Sequence, residues 1–233
     1  MEQTEKEKRA MFEGYDQQSV DFMWGIRFNN EKEWFLLHKD EYLQHLQQPT
    51  RDLGEEIWRT MAEKHPDDSL DLHVSRIYRD ARRLHGRGPY KDHLWFSLRP
   101  DNRCDDWTGR PTFYFEIAPE YYSYGMGFWS PGASLMAHFR RQLDLNPEGF
   151  APLVRAFDRQ NVFVLRGADY ARSKGDPGAL LAPWYRKKSV SLECEHPLDE
   201  VIFSRRLVEN ILSGYEMLLP LYRYFKNLCD TQA

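Results

Sequence analysis

Four short runs near the middle of the chain are rich in aromatic and β-branched residues: DLHVSRIY (71–78), HLWFSL (93–98), TFYFEIA (112–118) and YYSYGMGFW (121–129). Pro, Gly, Asn and Asp separate them, the punctuation of strands and turns. In TFYFEIA, Phe113, Phe115 and Ile117 alternate with Tyr114 and Glu116, the pattern of a half-buried antiparallel strand. Such a block needs a second layer to cover its apolar face, and the flanking sequence supplies helices for it.

On the N-terminal side, SVDFMWGIRF (19–28) reads as a helix capped by Ser19. Asn29 and Asn30 break it, and Asn30 can cap the next helix. Phe35, His38, Tyr42 and Leu46 then fall on one helical face. Pro49 marks a boundary, and Leu53, Ile57 and Met61 recur in a third helix. Trp24, Trp34 and Trp58 are expected in the core.

Beyond the strand block, Ser130-Pro131 and Asn146-Pro147 each precede a helical segment. NVFVL (161–165) and SVSLEC (189–194) read as two more strands. A long helix from about Ser204 to Leu228 closes the chain, with a kink expected at Pro220. Strands clustered between helical flanks, without strict alternation, predict a single α+β domain with a mostly antiparallel sheet. Residues 1–10 read as a flexible tail and 11–233 as the domain.

The charge distribution is uneven. From Ser75 to Lys91, six basic residues (Arg76, Arg79, Arg82, Arg83, Arg87 and Lys91) face one acid, Asp80, a local balance of +5. The whole chain carries −4, so the remainder carries −9. A basic site on an acidic body suits a small anion better than a duplex. Guanidinium forks match carboxylate and phosphate oxygens in pairs. The loop after Ile77-Tyr78, HGRGPY, carries turn residues, and loops of this kind often hold binding groups. Strand alternation separates Arg76 from Arg79, which leaves Arg79, Arg82 and Lys91 as the expected convergent set.

Other chemistry finds less support. GFWSPGAS spaces Gly127 and Gly132 like a phosphate loop, but Ala133 stands where the lysine is required. GMG lacks a third glycine and is expected to give a tight turn beside Trp129. The eight histidines form no HExxH, and His38 and His45 read as ordinary helix residues. His85 and His93 flank the basic loop as possible acid or base groups. No metal site and no cofactor are expected. Cys104, Cys194 and Cys229 are widely spaced, which suggests free thiols in a reducing compartment. No cysteine has a basic partner nearby in sequence, which weighs against covalent catalysis. The charged start MEQTEKEKRA is unlike a secretory signal, and no apolar run reaches membrane-spanning length, so a cytoplasmic protein is expected.

FNNEKEWFLLHKDEY, RIYRDAR followed by PYKDH, and GMGFWSP resemble the recurring blocks of an uncharacterised bacterial family, domain of unknown function 2461. The likeness runs from about Met11 to Phe225. By that resemblance Arg76, Arg79, Asp80, Arg82, Tyr90 and Lys91 occupy motif positions, and these six are the candidate ligand-binding residues. Arg83 stands where the family has phenylalanine, and Gly86-Arg87 where it has an acid-lysine pair. The resemblance implies no activity. The residues themselves support a pocket protein or enzyme that holds a small carboxylate- or phosphate-bearing molecule, with Asp80 orienting an arginine and Tyr90 touching the ligand. Two alternatives stand beside it: a nucleic-acid module using the same loop, and a non-catalytic scaffold whose arginines pair internally.

Overall fold

The computed structural model describes residues 11–80, 82, 86, 88–100, 107–172 and 174–231. The proposed tail, Arg83, His85, Arg87 and Cys104 lie outside them. Helix α1 (Gln17–Phe28) is capped by Asp16, not Ser19. Ser19 sits three residues in and bonds back to Asp16, so the pair forms a reciprocal capping box. Asp16 also takes His45 Nδ1 at 2.6 Å, which ties this cap to the next helical run.

That run begins with α2 (Lys32–Leu37), preceded by Glu31, so Asn30 does not cap it. It continues through α3 (Lys39–Glu41) and a π-helical stretch, Tyr42–Gln47, into α4 (Gln48–Lys64). Pro49 therefore ends nothing. It lies inside the continuous run, and the His45 carbonyl four residues before it takes the Ser19 hydroxyl at 2.6 Å in place of the missing N–H. Phe35, Tyr42, Leu46, Leu53, Ile57 and Met61 are all buried. Trp34 and Trp58 pack against the core, whereas Trp24 stacks on the exposed Phe28.

The strands form one antiparallel sheet: β1 (Leu70–Val74), β2 (Leu94–Pro100), β3 (Pro111–Ile117), β4 (Tyr121–Phe128), β5 (Val164–Arg166) and β6 (Ser191–Pro197). Their spatial order is β1-β2-β3-β4-β6-β5. The strand expected over 71–78 stops at Val74, and Tyr78 makes only an isolated bridge to Tyr90. Helices α5 (Ala133–Leu145), α6 (Ala151–Phe157) and α7 (Ala182–Tyr185) occupy the connections around β5. Gly132, not Ser130, precedes α5. The chain closes with α8 (Arg206–Asp230), a single helix that contains Pro220. The protein is thus α+β, as its sequence predicts.

Helices α4 and α8 cover one face of the sheet. Phe96, Leu98, Phe113, Phe115, Met126 and Leu192 point into that layer and are fully buried. Phe113 stacks between Tyr215 and Tyr222 of α8 at 4.6 and 4.7 Å. The period of two sends the intervening residues to the opposite face, so Trp95, Ser97, Tyr114, Glu116, Ser123, Glu193 and Glu195 stand together there.

Candidate functional site

The second face of the sheet holds a groove of about 420 Å³. Register places its groups in rows: Trp95, Glu116, Ser123 and Glu195 lie across four strands in one, and Ser97, Tyr114, Gly125 and Glu193 in the next. Gly125 and Gly127 lie inside β4, so GMG makes no turn. They allow the main chains of β4 and β6 to come close: a Cβ on Gly125 would stand 1.9 Å from the Leu192 carbonyl oxygen.

Indoles border one end. Trp129, 67% exposed, stacks near Trp95 and lies tilted toward Trp107. Arg99 lies with its guanidinium 3.5 Å from the Trp107 ring centre and 5.8 Å from that of Trp95. It is 7% exposed, its Nε donates to Ser97 Oγ at 2.9 Å, and its Nη2 has no hydrogen-bond partner among the described residues. Burial lowers its pKa to about 10. Lys91 Nζ lies 5.6 Å over the Trp95 ring. Burial, then the charge of Arg79, lowers the Lys91 pKa to about 8.

Carboxylates line the rest: Glu116 stands directly across from Trp95 and its charge acts on Lys91, while Glu193 and Glu195 lie at the β6 end. Glu116 accepts a bond from the Tyr121 hydroxyl at 2.7 Å, and Glu193 one from Ser191 at 2.6 Å. Burial pushes the Tyr114 and Tyr121 hydroxyls well above the usual phenol range, aided by Glu193 at Tyr114 and by Glu116 at Tyr121. No basic side chain forms an ion pair with Glu193 or Glu195 among the described residues. The groove is therefore bipolar, cationic and aromatic toward β2 and acidic toward β6.

The six motif residues divide between this site and its support. Arg79 donates from Nε to the Tyr90 carbonyl at 2.6 Å and lies 3.7 Å from Asp92. Tyr90 is 4% exposed and stacks on Phe35 at 4.3 Å, so its ring belongs to the core beneath the loop. Asn30 grips the same residue with its side-chain amide, donating to the Tyr90 carbonyl and accepting from the Tyr90 N–H, both at 2.9 Å. Arg27 reaches Asp92 at 2.6 Å and also pairs with Glu120. The His93 bond, then that of Arg27, hold the Asp92 carboxyl well below its usual range. These contacts fix the backbone on either side of Lys91. Asp80 takes both the backbone N–H and the guanidinium of Arg82, whose side chain is 88% exposed. The cations whose charge bears on Lys91 are Arg79 and Arg76, the latter exposed.

Sequence reasoning missed Arg99, the Trp95–Trp107–Trp129 group and the three glutamates. The signal was present as alternation along each strand, but which strands are neighbours is a matter of topology. It also missed a pair on the helical side of β6. Cys194 Sγ lies 3.0 Å from His196 Nε2, so one cysteine does have a basic partner nearby in sequence. Two residues apart on a strand means the same face.

The family profile described as "Conserved hypothetical protein (DUF2461)" matches residues 18–224. The chain belongs to the DUF2461 family. The match takes in α1 from its second residue, Asn30, the Arg79–Lys91 loop, every strand of the sheet and most of α8. Both ends of the groove thus lie within the DUF2461 span. Among curated proteins none matches the chain. No helix among the described residues is long and apolar enough to cross a membrane.

Proposed function

We propose that the groove binds a small molecule bearing a carboxylate or phosphate together with a ring. The observation that carries this reading is a pair of cations, Lys91 and Arg99, withdrawn from water at the indole end of the groove. Each has its charged form penalised by burial, and Arg99 keeps one nitrogen without a partner among the described residues. A ligand anion there would offset both penalties, because charge-assisted bonds strengthen where water is excluded. The indoles offer flat faces for the ring. Glu193 and Glu195 would accept hydrogen bonds from hydroxyl or amine groups at the far end, and Glu116 from a group nearer the ring. The basic loop supports the site through Arg79 and the Lys91 backbone, while Arg76 and Arg82 contribute field from the surface. A cytoplasmic small-molecule protein fits this reading.

A thermal-shift series of phosphate, sulfate, citrate and chloride at matched ionic strength tests it. At a concentration of one hundred times Kd, linkage stabilises the folded state by about 2.7 kcal/mol. The polyvalent anions should raise the melting temperature in a saturable way that chloride does not reproduce, and Lys91→Met should remove the response. Equal curves for all four anions would overturn the reading.

A further inference from the structure

A second cavity, of about 640 Å³, lies between β6, β5 and α8, and Glu193 and Glu195 line it as well as the indole groove. Cys194 and His196 both line it, as do Tyr124 of β4 and Asn210 and Ser213 of α8. The 3.0 Å separation of Sγ from Nε2 is hydrogen-bonding contact between a thiol and a base. The imidazole is held in plane by stacking on Tyr122, with ring centres 5.3 Å apart and an angle of 26°. A nucleophile in contact with a base, the base oriented by a third group, and both open to one cavity, is the arrangement covalent catalysis requires.

We propose that Cys194 and His196 are a nucleophile–base pair, and that the cavity takes small acyl compounds, esters or thioesters. Cys194 Sγ attacks the acyl carbon while its proton passes to His196 Nε2. The carbon–oxygen or carbon–sulfur bond to the leaving group breaks, the imidazolium returns the proton to the departing alcohol or thiol, and a thioester remains on Cys194. Water then releases the acid. The Asn210 amide and the Ser213 hydroxyl bring donors to the same cavity for the oxygen that becomes negative. Burial pushes the Cys194 thiol up, so its resting form is protonated and its reactivity depends on His196.

The fold provides its own control. Cys229 is a less buried thiol than Cys194, raised by burial to about 11, and its sulfur contacts the Gly109 carbonyl at 3.7 Å. The experiment treats the folded full-length protein with p-nitrophenyl acetate near neutral pH and maps acetylated peptides by mass spectrometry over time. Cys194 should acetylate in a burst matched by nitrophenolate release, with Cys229 far behind. His196→Asn, at an unchanged melting temperature, should slow Cys194 labelling by about 100-fold. Cys194 that labels no faster than Cys229, or that reacts only in urea, overturns the proposal. So does a folded His196→Asn variant that labels at the wild-type rate. Should that variant not fold, the Cys194-to-Cys229 comparison in the wild type decides alone.

Discussion

Lys91 is a cation whose charged form the fold resists, and this sets two expectations. Its folded pKa lies below the usual lysine value, so at neutral pH the charge opposes folding. The unfolded chain holds that proton to higher pH, so Lys91's penalty is relieved as pH rises from about 8 toward the ordinary lysine range. Lys91→Met should therefore leave the unliganded protein as stable or more stable at pH 7 by thermal melt, while abolishing anion stabilisation. In the wild type that anion response should fade as pH climbs through about 8, where the ammonium is lost. The neighbouring arginines should differ in kind. Arg79→Ala removes a bond to the buried Tyr90 carbonyl and should cost about 1–2 kcal/mol by urea denaturation. Arg82→Ala, its pair with Asp80 standing in solvent, should leave the denaturation midpoint unchanged.

Among the elements, the sequence makes legible whatever depends on local period. The alternation of Phe113, Phe115 and Ile117 names the buried side of β3, and the structure buries those three. Legibility fails where a side chain answers to something distant. Asn30 reads as a helix break with a capping role, yet its amide spans to Tyr90, sixty positions away. Ser19 reads as a cap because nothing in the residue string separates it from Asp16 three places earlier. Asn30→Ala should cost about 2 kcal/mol through two lost bonds at the start of the Lys91 segment, and Asn30→Asp, which keeps the acceptor alone, should fall between. In β4, Gly125→Ala must move one strand away from the other, because the atom it meets is main chain. A loss of about 2 kcal/mol or more is expected, with weakened anion binding measured on the same protein.

At the scale of the whole molecule, the surplus of negative charge lies partly on the very face that carries the exposed indoles. A single-stranded nucleic acid stacking on Trp95 and Trp129 would bring its phosphates toward Glu116, Glu193 and Glu195. Fluorescence anisotropy should therefore show affinity no tighter than about 10⁻⁶–10⁻⁴ M at physiological salt. A tight, salt-steep complex would reverse that ranking. The position of the candidate site is only half legible for a related reason. The basic segment points to Lys91, but the groove is assembled from β2, β3, β4 and β6, which lie about a hundred residues apart from first to last. Strand β6 carries a consequence of its own. Its odd-numbered carboxylates line the groove and the other cavity alike, while its even-numbered thiol and imidazole line that cavity alone, so it works like a two-sided tape read in a single frame. Deleting one residue just before Ser191 would shift that frame by one: the acids would turn into the apolar layer and the thiol would surface at the β6 end of the groove. Both sites would be lost together, although no residue belonging to either had been altered.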